Sequence, residues 1–261
     1  MTQPYRWELM TWEAVGEASS KTNTLIILPI GSIEQHGPHL PVGTDFLIAD
    51  KVAERLATEL RKRDIYAVKL PPIPFGLSVM WRAYPGTITL SYETLIKLIC
   101  DVLTSVITSG FHNVLILNAH SGNSDALRVA AREVVEQVGK GKVAVATVWE
   151  FVGDVIKSVF ETPFFHADEV ETSVALALGI PVTKKPGRSP PVFRKYSNRW
   201  HSLDLTERPK AYVFRSESRV MHGPGAFGQP DKASRSKGEV LLTELISRLA
   251  NFVADFLKDE I

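Results

Sequence analysis

Two carboxylates and two imidazoles fall within one short, turn-rich segment, Glu34-Gln35-His36-Gly37-Pro38-His39-Leu40-Pro41-Val42-Gly43-Thr44-Asp45. Hard carboxylate oxygen mixed with imidazole nitrogen suits a divalent transition metal such as Zn, Mn or Fe(II). In an extended backbone residues two apart point the same way, so Glu34 and His36 converge, and Gly37, Pro38, Pro41 and Gly43 turn the chain back to deliver Asp45. His39 suits a structural hydrogen bond better than ligation. A Glu-x-His pair by itself is as often part of an acidic surface loop, but two further segments carry the same kinds of residue.

The first is Asn118-Ala119-His120-Ser121-Gly122-Asn123, and the second is His166-Ala167-Asp168-Glu169-Val170-Glu171-Thr172-Ser173. The second leads into an apolar run ending at Gly179 and reads as a helix. On a helix, positions three apart share a face, so His166 and Glu169 are expected to project together. Glu171 is expected to lie well around the helix, in packing, capping or support behind the site. With an ordinary pKa near ~6.5, His166 is suited to carrying a proton at neutral pH.

The elements that must position these groups alternate. An apolar strand at Leu25 to Ile30 precedes a helix with Ile48, Val52, Leu56 and Leu60 on one face. A strand from Tyr66 to Leu70 leads through a Pro-rich loop to a helix capped by Ser91 and carrying Leu95, Leu98, Ile99, Val102 and Val106, which stops at Gly110. Val114 to Leu117 is a third strand, and its unbroken apolar character implies burial on both faces. Ser124 is positioned to cap the next helix, and Val143 to Val148 forms a fourth strand. Ser236 to Leu257 reads as a closing amphipathic helix. This order predicts an α/β fold with a mostly parallel sheet and helices on both faces, in which ligands bind beyond the carboxyl ends of the strands. The stretch from Pro181 to Pro209 shows no period and is either a lid or an oligomer contact.

The chain has 261 residues, a formal charge of +1 and one cysteine, Cys100. Its length and even composition fit one domain over residues 1–261. The near-balanced charge offers no field for nucleic acid or an anionic membrane, so the expected partner is a small molecule. Cys100, within an apolar run, reads as a buried structural thiol. No targeting segment or spanning stretch is evident, and a cytoplasmic location is expected.

Taken together, the three chemistry-bearing segments resemble the creatininase (creatinine amidohydrolase) family. Its pattern is a Glu-x-His-Gly-Pro-His-Leu-Pro-x-x-Thr-Asp loop, an Asn-x-His-x-x-Asn loop and a His-x-x-Glu-x-Glu-Thr-Ser segment, and all three occur here in order. The resemblance extends through Phe75-Gly76-Leu77-Ser78 and Tyr84-Pro85-Gly86-Thr87. It implies a three-layer α/β/α domain, usually in a homohexamer, with two divalent metal ions. It also implies that Glu34, Asp45 and His120 hold one ion, and that His36, a bridging Asp45 and a further carboxylate hold the other. Creatininase proper supplies that carboxylate two residues after the motif histidine, where this chain has Gly122. Other branches use a glutamate of the third segment, and Glu169 matches.

The implied reaction is metal-dependent cleavage of a C–N amide bond, in a cyclic amide or formamide of a small heterocycle, by metal-bound hydroxide, with His166 moving the proton. Ser78, Trp81 and Ser121 are the candidates for substrate contact. Tyr84 and Trp149 also have faces suited to stacking, although buried aromatic rings ordinarily belong to the core. The Gly122/Glu169 arrangement looks more like the branch that contains the formamide deformylase of flavin and deazaflavin precursor synthesis than like creatininase proper. Creatinine hydrolysis, a peptide-cleaving relative of the mycofactocin pathway and a non-catalytic metal-binding assembly protein are the competing readings.

Overall fold

The computed structural model describes residues 5–183, 197–207, 209–213 and 225–258. Five parallel strands form one sheet in the order β1-β3-β2-β4-β5, with β1 at Tyr5–Arg6, β2 at Leu25–Ile30, β3 at Ala67–Lys69, β4 at Asn113–Asn118 and β5 at Lys142–Thr147. Four of these strands are those expected. The fifth, β1, is two residues pairing with β3 at Val68 and Lys69, too short to leave a periodic signal.

Successive strand residues point to opposite faces of the sheet, and the core divides accordingly. Leu25, Ile27, Leu115 and Leu117 pack against α2 (Thr44–Lys62), α6 (Glu169–Leu178) and α7 (Arg235–Lys258). Ile26, Leu28, Ile30, Val114 and Ile116 pack against α3 (Tyr92–Thr108) and α4 (Ser124–Val138) on the other side. The result is the expected three-layer α/β/α arrangement. Shorter helices α1 (Trp12–Ser19) and α5 (Gly153–Val159) complete the element order. No helix among the described residues is long and apolar enough to cross a membrane.

Local signals explain most boundaries. Ile48, Val52, Leu56 and Leu60 of α2 are fully buried, as a four-residue apolar spacing requires. The Ser91 hydroxyl accepts from the Thr94 N–H and caps α3 as expected. Ser124 does not cap α4: it is the first helical residue, and its hydroxyl meets Thr147 Oγ1 at 3.0 Å across the end of β5. Of the stretch from Pro181 to Pro209, residues 184–196 and 208 lie outside the described residues, so its expected choice between lid and oligomer contact falls largely there.

Register is what serves the site. Ile30, Asn118 and Thr147 stand side by side at the carboxyl ends of β2, β4 and β5, so the loops that follow leave from one edge. Asn118 and Asn123, the ends of the second motif, stitch these loops together. Asn123 Oδ1 accepts from the Leu77 N–H at 2.8 Å and its amide donates to Gly31 O at 3.0 Å. Asn118 donates to His120 O at 2.8 Å and to Thr147 Oγ1 at 3.1 Å.

Helix α6 is buried on nearly every side. It crosses α7 at Gly238, where a Cβ would overlap the Ser173 carbonyl, so only glycine permits this approach. The buried Glu169 carboxylate accepts from Lys237 Nζ of α7, from the Glu161 N–H at 3.0 Å and from Thr162 Oγ1 at 3.1 Å. Removing one member of a buried pair strands the other charge. Lys237→Met is therefore expected to cost about 3 kcal/mol in urea denaturation, and adding Glu169→Gln should recover part of that loss.

Candidate metal centre

The ends of β2 and β4 each contribute a group. Beyond β2, Gly37 takes a left-handed turn with φ +65°, which lets the chain double back and enter α2 with Asp45 in its first turn. A carboxylate there is favoured by the helix N-terminus. Glu34, His36 and Asp45 are all essentially inaccessible to solvent. His36 Nδ1 donates to the Glu34 carbonyl at 3.1 Å, leaving Nε2 3.0 Å from Asp45 Oδ1 and 3.8 Å from Glu171 Oε2.

Beyond β4, His120 Nε2 donates to Leu77 O at 2.9 Å, and Nδ1 faces Asp45 Oδ2 at 2.9 Å. Asp45 thus lies between two imidazoles with one oxygen toward each. Gly122 makes this pose possible, because a Cβ there would sit 2.5 Å from His120 Nε2 and 2.8 Å from Leu77 O. The first contact is to the imidazole itself and the second is to backbone, so neither yields cheaply.

The third segment departs from expectation. Helix α6 starts at Glu169, with Asp168 as its cap accepting from the Val170 and Glu171 N–H groups. His166 precedes the helix, and Ala167 between them has φ +47°. The face that His166 and Glu169 were expected to share does not exist. Glu169 turns away toward α7, and Glu171 is the carboxylate that stands against His36 and Asp45, its Oε2 also accepting from the Ala167 N–H. The sequence carried a signal for this: Asp168-x-x-Glu171 has the spacing of a capping box, which starts the helix at Glu169.

His166 reaches the same cluster by another route. Its Nε2 lies 2.8 Å from Gln35 O and 2.9 Å from the Gln35 side-chain amide nitrogen, and its Nδ1 faces Glu34 Oε1 at 3.5 Å. Gln35 is in turn fixed by its N–H to Thr87 Oγ1 at 3.1 Å. The Trp81 ring lies against the imidazole at 4.2 Å and 18°. Trp81 therefore spends one face on His166, although it does line the cavity.

Among the described residues, three overlapping sets have ligand atoms close enough to hold one cation: Glu34, Asp45 and His120; His36, Asp45 and Glu171; and Glu34, His36 and His166. Both Glu34 oxygens are buried with no hydrogen-bond partner and Asp45 Oδ2 has the His120 imidazole against it, an arrangement that costs free energy unless positive charge occupies the space. Titration behaviour agrees. Burial pushes the Glu34 carboxyl up to about 7 and Glu171 well above the usual carboxylate range. His36 is raised to about 10 and His120 to about 9, because the carboxylates around them outweigh burial, which works the other way. Asp45 is held low: burial opposes this, but His36 and His120 prevail. Carboxylates and imidazoles held this close favour positive charge between them, so the donor set suits divalent metal.

A cavity of about 130 Å³ opens onto Glu34, Asp45, His120, His166 and Glu171, walled by Leu77, Trp81, Trp149, Phe165 and Leu205. Ser121 lines it as expected. Ser78 does not: its hydroxyl pairs with that of Ser32 beneath Glu34. Trp149 lines the cavity, with its Nε1 donating to Ala119 O at 2.9 Å, whereas Tyr84 packs edge-on against Trp81 behind it. His39 stays out of all three sets and makes the structural hydrogen bond expected of it, to Thr172 Oγ1 at 2.9 Å.

The creatininase family, described as creatinine amidohydrolase, matches residues 8–253. The chain belongs to this family and is an amidohydrolase of its kind with metal-binding residues. It is 25% identical to a creatinine amidohydrolase of Pseudomonas putida over 94% of this chain and 95% of that protein. It is 27% identical to a mycofactocin precursor peptide peptidase of Mycolicibacterium smegmatis over 90% of this chain and 86% of that one. A solved creatininase variant described as the Zn-Zn type superposes with a TM-score of 0.81 at 23% identity, over 98% of both chains.

Because the His120 pose depends on the missing side chain at position 122, Gly122→Ala is expected to displace the imidazole. Isothermal titration calorimetry with Zn²⁺ should then show affinity reduced at least 10-fold, on the order seen when a ligand's orienting contacts are lost.

Proposed function

We propose that this chain cleaves a C–N amide bond of a small, heterocyclic substrate with two divalent cations, Glu34, Asp45 and His120 holding one, and His36, Asp45 and Glu171 the other. The observation that carries the reading is Asp45, buried between two imidazoles and common to two ligand sets, one of which includes the unpartnered carboxylate oxygens of Glu34. The Zn-Zn description of the structural neighbour accords with it. The cation pair would activate water and polarise the scissile carbonyl.

The protein's own side chains supply the rest. Burial, and then His36, hold the His166 pKa well below its ordinary value. The imidazole Nδ1 is turned to the side of the cavity where Glu34 sits, the position from which it would take a proton and return it to the departing nitrogen. Trp81 stacking and the Gln35 carbonyl fix the ring, and the apolar walls exclude bulk water. The cavity volume of about 130 Å³ suits a small ring or formamide better than a long peptide. Gly122 offers no carboxylate, and Glu171 takes that part from α6, which separates this site from the creatininase-proper pattern while leaving creatinine a candidate. Assembly into a homohexamer belongs to the same reading and is checked by sedimentation.

A second reading has its own observation: His166 Nδ1 is within ligand reach of Glu34 and His36, which would make it a third imidazole ligand in a non-catalytic centre. His166→Ala separates the two. Retained metal with turnover down at least 100-fold supports the proton role, whereas loss of metal supports ligation. Substrate is sought by assaying creatinine, formamidopyrimidines and small lactams for amide cleavage; inactivity on every member of the panel counts against the small-amide reading.

The two glutamates of α6 give a further check. Glu171→Gln is expected to lower bound metal from two ions to one by plasma mass spectrometry, and Glu169→Gln to leave two. The reverse pattern would return the second ion to Glu169.

A further inference from the structure

Within the segment that carries Glu34, His36 and Asp45, His39 has no part in any ligand set, yet it is fully buried. Its Nδ1 has no partner. Its Nε2 meets Thr172 Oγ1 at 2.9 Å, and its carbonyl accepts from the Thr183 N–H at 2.9 Å. Thr172 follows Glu171 on α6, and Thr183 lies just beyond the end of that helix. One residue of the β2 loop is therefore tied to the first turn of the helix that brings in the last carboxylate and to the chain that follows that helix.

This tie addresses a specific problem. Glu34, His36 and Asp45 are close in sequence and share one loop, whereas Glu171 comes from a segment more than a hundred residues away. Asp168 and Ala167 fix the Glu171 carboxylate relative to its own helix, but neither fixes the helix relative to His36. A threonine hydroxyl on a helix often bonds back to the carbonyl four residues earlier, as Thr58 does to Glu54 O; the Thr172 hydroxyl instead reaches across to His39. An imidazole that leaves one nitrogen unpaired in order to bond Thr172 is poorly explained as filler, since an apolar side chain would fill the space without stranding a donor or acceptor.

The geometry points to His39 and Thr172 as a positioning pair that holds α6 at the distance where Glu171 completes the second cation pocket with His36 and Asp45. The inference rests on the two-cation reading above. It assigns neither residue to the metal or the substrate.

The test uses the full chain, Zn²⁺ as the probe, and bound metal counted by plasma mass spectrometry after equilibrium dialysis against graded chelator. Thr172→Val keeps the shape and removes the bond, and Thr172→Ser restores it. For Thr172→Val, one ion should stay as tight as in the unaltered protein and the other should loosen by about 10–100-fold, the range for lost supporting contacts. Thr172→Ser should bring both back. His39→Gln, whose amide reaches toward the Nε2 position, should retain the second ion better than His39→Leu; this comparison stands in if Thr172→Val fails to fold by circular dichroism. Two ions bound with unaltered affinity in Thr172→Val, or both loosened equally, would overturn the pair. Fewer than two ions in the unaltered protein would instead overturn the reading beneath it.

Discussion

Everything at this site is arranged around one aspartate. Asp45 is buried at the first turn of α2 with an imidazole against each oxygen, and a carboxylate so placed is stable only while positive charge surrounds it. The helix N-terminus contributes part of that charge, and His36 and His120 contribute more. Because both neighbours share a single carboxylate, a displacement of either loop is felt at the other. The aligned strand ends at Ile30, Asn118 and Thr147, and the two asparagines that cross-link the loops, are what keep the loops at fixed spacing.

Much of the fold could be read from the chain because its signals were local and repetitive. The α2 face of Ile48, Val52, Leu56 and Leu60, the Ser91 cap and the unbroken apolar run before Asn118 each specify an element without reference to the rest. The parallel sheet then follows from their alternation. Glu34, His36 and His120 were likewise readable, because each lies in a short loop directly after a strand, and Asp45 because it opens the helix that the first of these loops enters.

The third segment was harder for a physical reason. Judging which residues share a helix face presumes that the helix has been started at the right residue and has a wet side and a dry side. Helix α6 starts three residues after His166 and is dry nearly all round. Each polar group on it answers a different neighbour: Glu169 meets Lys237, Glu171 meets His36, Thr172 meets His39, and the Ser173 hydroxyl accepts from the Ser234 N–H. Polarity along the segment therefore records several separate contacts, and only tertiary placement tells them apart. Ser78 was misread for a related reason: a hydroxyl next to a motif can be spent on another hydroxyl below the site.

The packing of α6 also makes this stretch unforgiving of length. On a helix each added residue rotates everything beyond it by about 100°. A single insertion between Asp168 and Glu171 would swing the metal-facing carboxylate toward a neighbour built for something else, with no solvent side to absorb the error. Homologous chains should vary freely in the loops around the sheet while keeping the count of residues from His166 to Gly179 unchanged.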